Sequence, residues 1–221
     1  MKKSVFAVAA AILAAALFSL AGCSQGEAPA QNATGNASFI LPGANASYHA
    51  TYTVEEGGPM VKEVWRAQGM MRMDMSAQGI RALSFYFIGG KAYSCSLVAS
   101  PVACYDITLA LAQGDAARLV PSESGMAGAT RVESVKIGST TGNCYEEPMG
   151  ALGTRKLCFA PQGVVAFDSY NVSKEILHTE YLTDLEYYDS GSGPGADVFS
   201  LPAAPVPAPP VPEPPDAGFE G

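Results

Sequence analysis

Hydrophobic and polar residues alternate from Tyr48 onward: Tyr48, Ala50, Tyr52 and Val54 interleave with His49, Thr51, Thr53 and Glu55. A period of two marks a β-strand with one face on a core and one toward water. Gly57-Gly58-Pro59 then turns the chain. Further strands are expected over 61–67, 70–75, 80–88 and 92–98, because Gly69, Gly79 and Gly89-Gly90 punctuate them and tight turns favour glycine. This is a meander of hairpins. The stretch from 106 to about 120 carries a helical pattern, with Asp106 and Asp115 placed as N-caps and Pro121 closing it. Shorter strands follow over 132–137, 144–147, 154–159 and 164–170, then a long one over 177–188. In that last strand Leu177, Thr179, Tyr181, Thr183, Leu185 and Tyr187 are expected on one face, with His178, Glu180, Asp184 and Glu186 on the other.

The ends differ in character from this body. Lys2 and Lys3 precede an apolar stretch from Ser4 to Leu20, the layout of an export signal. About 20 apolar residues also cross a bilayer, so an uncleaved anchor competes with that reading. Leu20-Ala21-Gly22-Cys23 resembles the lipobox of prokaryotic lipoproteins. The resemblance implies cleavage before Cys23, a diacylglyceryl thioether on it, and attachment to the outer face of the cell membrane. Two acyl chains, at about 0.8 kcal/mol per buried methylene, anchor a protein that one chain would leave exchanging.

Residues 23–46 are rich in Ala, Gly, Ser, Asn and Gln and read as a flexible tether. From 203 to 221 proline dominates, which favours extended polyproline II and a disordered tail. The expected organisation is therefore a signal peptide at 1–22, the tether at 23–46, one folded domain at 47–202 and the tail. Asn32, Asn36 and Asn45 in or beside the tether, and Asn171 in the body, head Asn-x-Ser/Thr sequons. None has an acidic residue two places upstream, as the common bacterial acceptor motif requires, so their use would suit an archaeal source. Linkers are also simply made of such residues.

Charge narrows the partners. Thirteen Lys and Arg against 21 Asp and Glu give a formal −8, which becomes −10 once Lys2 and Lys3 are removed. Such a surface disfavours nucleic acid and anionic headgroups. Four cysteines remain after Cys23: Cys95, Cys104, Cys144 and Cys158. An even number in an exported chain argues for disulfides, and of three connectivities the pairing of neighbours across hairpins is expected.

Candidate chemistry is sparse. There is no Gly-x-Ser-x-Gly elbow and no phosphate-cradling glycine loop. His49 and His178 fall on polar strand faces, and the adjacent pairs Glu55-Glu56 and Glu146-Glu147 point to opposite faces of a strand. Neither an enzyme, nor a cofactor, nor a metal bound by Cys and His is expected. The unusual cluster is Met70, Met71, Met73 and Met75. Met71, Met73 and Met75 would share a strand face, open to three readings: core packing, an adaptable apolar lining, or thioether ligation of Cu(I). Tyr52, Trp65, Phe85, Phe87, Tyr181 and Leu185, spread over several strands, join the methionines as candidate lining of an apolar cavity.

A lipobox, a tether, a long antiparallel meander, a mid-chain helical region and more strands closing near Phe199-Ser200-Leu201-Pro202 resemble the LolA and LolB lipoprotein carriers and the mycobacterial lipid-binding lipoproteins. The resemblance implies an α+β fold, a curved antiparallel sheet forming an incomplete β-barrel over one or two short helices. It further implies a non-catalytic, membrane-anchored protein that binds or shuttles a lipid or acyl chain. The alternative is a surface lipoprotein of structural or interaction role whose interior is full. Oligomeric state is left open.

Overall fold

A computed structural model describes residues 46–55, 58–67, 69–113, 120–126, 128–137, 140–149, 153–172, 175–189 and 192–209. The strands are β1 (Ser47–Glu55), β2 (Pro59–Ala67), β3 (Met70–Ala77), β4 (Ile80–Ile88), β5 (Lys91–Ser96) and β6 (Ala103–Asp106). After helix α1 (Thr108–Gln113) come β7 (Thr130–Arg131), β8 (Val135–Ile137), β9 (Thr140–Pro148), β10 (Thr154–Phe159), β11 (Val165–Val172), β12 (Glu175–Tyr188) and β13 (Pro205–Pro207). They form one sheet in the order β13-β6-β5-β4-β3-β2-β1-β12-β11-β10-β9-β7, with β8 also on β9. All pairs are antiparallel except β13 on β6.

This corrects the expected α+β incomplete barrel. The first and last strands of the order do not pair, so the sheet is open, and the fold is overwhelmingly β. Among the described residues α1 is the one α-helix, and it is six residues long. The helical pattern over 106–120 extends beyond it into 114–119, which lie outside the described residues. Asp106 does serve the helix start, since its Oδ1 accepts the Thr108 N–H at 2.9 Å.

Register follows from turn chemistry. Gln78-Gly79 and Gly89-Gly90 both have positive φ at each position, the backbone of a two-residue hairpin turn whose twist matches that of the strands. Each such turn fixes which residues face each other, and with a period of two it also fixes which face they occupy. Tyr48, Ala50 and Tyr52 of β1, Val64 of β2, Met71 and Met73 of β3, and Leu83, Phe85 and Phe87 of β4 thereby fall on one face. They form a continuous core with Leu111 of α1, Val120, Ala160, Val164, Ala166 and Leu182. Large side chains buried in this way each contribute about 1.5–3 kcal/mol.

The long last strand departs from simple alternation. Between Thr51 and Tyr52 the β1–β12 register slips by one residue, a β-bulge that moves the following side chains to the other face. Leu185 and Tyr187 stand opposite Ala50 and Tyr48 of the core face, whereas Tyr181 stands opposite Thr53 on the far face. The expected single stripe from Leu177 to Tyr187 is therefore split in two.

The far face of β3–β6 has its own cover. The chain beyond β12 crosses it as a strap: Val198 O accepts from Arg72 Nη1 at 2.9 Å, Phe199 is buried, and Leu201 and Ala203 pack on Tyr86, Cys95 and Cys104. It ends as β13, alongside β6. Pro205 and Pro207, which the sequence places in the tail, thus belong to an edge strand, where a missing N–H on the outward side costs nothing.

Candidate functional site

The methionine column sits at the centre of the core face. Met71, Met73 and Met75 face Arg66, Val64 and Lys62 on one side and Phe87, Phe85 and Leu83 on the other. Tyr52 lies opposite Lys62 and Leu182. Seven of the nine candidate lining residues therefore meet on one face: Tyr52, Met71, Met73, Met75, Phe85, Phe87 and Leu185. Tyr52, Met71 and Phe87 are each 2% exposed, while Met75 and Leu185 are only partly buried against the cluster. Burial pushes the Tyr52 hydroxyl well above its ordinary pKa, with Tyr48, Glu180 and Tyr187 adding to the effect. The phenol stays neutral on this apolar face.

Trp65 and Tyr181 are not part of this face. Trp65 stands opposite His49 and Arg72. Its ring stacks on the His49 imidazole at 4.8 Å, with the Arg72 guanidinium at 5.0 Å from its centre. The Tyr181 hydroxyl donates to Glu55 Oε1 at 3.3 Å. Aromatic character suggested lining for both; strand parity places them on the other side.

Sequence reading missed a buried belt of charge at one end of the core face. Lys62 pairs with Glu180 and lies 4.6 Å from the Tyr52 ring centre. Arg155 grips Asp168 with two hydrogen bonds, 3.0 and 2.7 Å, approaches Glu147 at 3.6 Å and lies over the Tyr170 ring at 4.9 Å. Its side chain is 3% exposed. Burial works against the Arg155 charge, but the Asp168 carboxylate outweighs it and holds the guanidinium pKa above its ordinary value. Part of the signal was available, since Arg155 and Asp168 share strand parity with the buried Leu157 and Ala166; Glu180 reaches this face only through the bulge, which alternation does not reveal.

A second polar cluster lies beneath the strap. Asp74, 1% exposed, accepts from Arg72 at 2.9 and 2.6 Å, from Arg81 at 3.0 Å and from Ser84 at 2.6 Å. It ties β3 and β4 to the strap through Arg72.

The cysteines pair as neighbours, Cys95 with Cys104 and Cys144 with Cys158. Both bonds link directly opposed residues of adjacent strands. Asn171 is exposed on β11. Cys23, Asn32, Asn36 and Asn45 lie outside the described residues. Among the described residues no group of three or more His, Cys, Asp or Glu could hold a metal ion, and no helix is long and apolar enough to cross a membrane.

No family profile matches the chain, and no curated protein sequence does. Solved structures do. MucB superposes with a TM-score of 0.51 at 16% identity, covering 74% of this chain, and MucB in complex with MucA(peri) with 0.48 at 17%, covering 72%. The chain spans 60% and 55% of those two MucB chains. An uncharacterised conserved protein from Thermus thermophilus gives 0.54 at 7% identity, covering 74% of this chain and 91% of that one. A putative outer membrane lipoprotein-sorting protein domain from Vibrio parahaemolyticus gives 0.34 at 7%, covering 70% and 89%. The first of these and the Thermus protein establish a shared fold, held in common at very low sequence identity.

Proposed function

We propose that this chain is a lipoprotein anchored through Cys23 to the outer face of a membrane, and that its domain binds an apolar chain, a lipid or acyl group, without catalysis. One observation carries the reading: the methionine column of β3, flanked by Phe85 and Phe87 and running out to the partly buried Met75 and Leu185. Methionine is unbranched and polarisable, so a wall built of it repacks around guests of different shape. Burial of the guest would supply the affinity, at about 25 cal/mol per Å² of apolar area. The buried Lys62–Glu180 and Arg155–Asp168 pairs bound this apolar zone and give a guest with a polar head a place to end.

Native mass spectrometry of the chain purified from its membrane, followed by organic extraction, tests the binding reading. Co-purifying lipid that is lost on Met71→Asp or Met73→Asp supports it; a single ligand-free mass in every preparation ends it. The mass of the mature N-terminus tests the anchor separately.

A second reading is favoured by the near-complete burial of Tyr52, Met71 and Phe87: the core face is filled by the protein itself, and the domain is a surface interaction module. Under it Met71→Leu and Met73→Leu leave every property but slight changes in stability untouched. Ligation of Cu(I) by Met71, Met73 and Met75 is a third proposal, and calorimetry with Cu(I) on the triple Leu variant decides it, since unchanged affinity excludes those sulfurs.

A further inference from the structure

Exposed large aliphatic residues are not scattered evenly over this molecule. Among the described residues Val61, Ile80, Val98, Val102, Ile176 and Leu177 are all exposed, Ile176 and Leu177 at 69% and 54%; Leu109 on α1 and Val206 on β13 stand apart from them. All six lie in or beside turns on one rim. The antiparallel order fixes this, because the turns joining β1 to β2, β3 to β4, β5 to β6 and β11 to β12 must all open at the same end. Leu83, Met75, Lys62, Tyr52 and Leu182 make one row across the strands. From that row the strands run on by three residues to Ile80 in β4, two to Ala77 in β3, three each to Pro59 in β2 and Glu55 in β1, and six to Ile176 in β12. The exposed aliphatic residues thus lie at one end of the sheet, with Ile176 and Leu177 projecting furthest. Glycine turns serve both rims, Gly58 and Gln78-Gly79 on this one and Gly69 and Gly89-Gly90 on the other, so it is the exposed aliphatic side chains beside the turns that set this rim apart.

We infer that the aliphatic rim is the edge this protein seats in the bilayer surface, its exposed aliphatic side chains reaching past the headgroups into the first methylenes. The inference rests on lipidation at Cys23. Single exposed aliphatics need no explanation, but a line of them along one edge marks a contact surface. The anchor says what the contact is with, and its length permits the contact. β1 starts at the opposite rim, so the 24 positions from Cys23 to Ser47 have the length of the sheet to cover if the far rim is to meet the membrane. A nine-residue strand is about 30 Å long. A flexible chain of that many residues spans on the order of 25–30 Å as a coil and about 80 Å when taut. The tether thus brings the far rim to the membrane without strain.

Charge decides the kind of surface. Glu55 and Glu146 are exposed toward this end and the mature chain carries a formal −10, so seating draws on aliphatic burial and is opposed by anionic lipid. Zwitterionic phosphatidylcholine is the matching probe.

The test uses the full lipidated chain reconstituted in phosphatidylcholine vesicles. A polarity-sensitive dye is attached at Leu177→Cys on the aliphatic rim, at Val98→Cys on the same rim should the first fold poorly, and at Leu109→Cys as the control on the exposed face of α1. The rim label is expected to shift to the blue on vesicle binding and to be quenched by nitroxide carried on lipid, with neither effect at Leu109. Paired Ile176→Ser and Leu177→Ser substitutions in the Cys23→Ser form are expected to weaken partitioning roughly tenfold. Labels that respond alike at both places, or a rim label that is shielded before any lipid is added, as by a second copy or a protein partner, overturn the inference. A chain that fails to float with the vesicles has lost its anchor reading, and this one falls with it by a visibly different route.

Discussion

Asp74 illustrates how one residue can hold two layers together. Its carboxylate is 1% exposed and receives four hydrogen bonds from Arg72, Arg81 and Ser84, while Arg72 in turn donates to Val198 of the strap. Removing one partner of a buried pair leaves an uncompensated charge, which costs about 3–5 kcal/mol. Asp74→Ala is expected to lose about 3 kcal/mol in urea denaturation, through Arg72 rather than the half-exposed Arg81, and a loss below about 1 kcal/mol would show that water reaches Arg72 as well. Asp106 makes a smaller, pH-dependent contribution. Partial burial raises its pKa, but hydrogen bonds from Thr108 and the Lys91 ammonium overcome this and hold it below the ordinary carboxylate value. A depressed folded pKa means the stabilisation is complete above the unfolded value, near 4, and disappears as pH falls through the lower folded one. The side chain is about one-third exposed and so partly screened, and Asp106→Asn is expected to cost a few tenths of a kcal/mol near neutrality and nothing once acid has protonated both states. A cost that persists unchanged in acid would assign the effect to the hydrogen bond alone.

At the scale of elements, the meander of β1 to β5 was legible because alternation and glycine turns agree there. Where they disagree the structure was not readable. The four-residue β6 and the two-residue β7 are too short to show a period, and β13 hides in a proline run. The bulge opposite Thr51 is one inserted residue, and nothing local marks it, yet it moves Tyr181 off the face that Leu185 occupies. Trp65 was misplaced for a related reason: hydrophobicity does not reveal parity, and only the pairing with His49 shows that the indole lies under the far face. The disulfides were readable, since each closes a hairpin. They are separated by 9 and 14 residues, and loops of that size are stabilised by about 3 kcal/mol through restriction of the unfolded chain. Each Cys pair replaced by Ala should lower stability by about 2–3 kcal/mol, additively, because the bonds lie at opposite sides of the sheet order. Strong non-additivity in a double variant would show that the two halves of the sheet fold as one unit through those strands.

The whole molecule is a sheet with two unlike faces. One gathers methionine and aromatic side chains with a charged belt at one end; the other is bound by a strap and carries the sole tryptophan. This division makes the binding proposal testable with the protein's own reporters. A guest on the core face touches Met71, Met73 and Met75, and it is separated from Trp65 by the thickness of the sheet. Titration with a fatty acid should therefore move the methyl resonances of those methionines in a methionine-labelled sample, while Trp65 emission stays constant, since its neighbours His49 and Arg72 do not change. The opposite pattern, a tryptophan response with silent methionines, places the guest beneath the strap. That result would transfer the binding role to the face ordered by Asp74 and Phe199. Silence from both reporters at saturating lipid leaves the core face filled by its own side chains, and the reading of the domain as an interaction module then replaces the binding one.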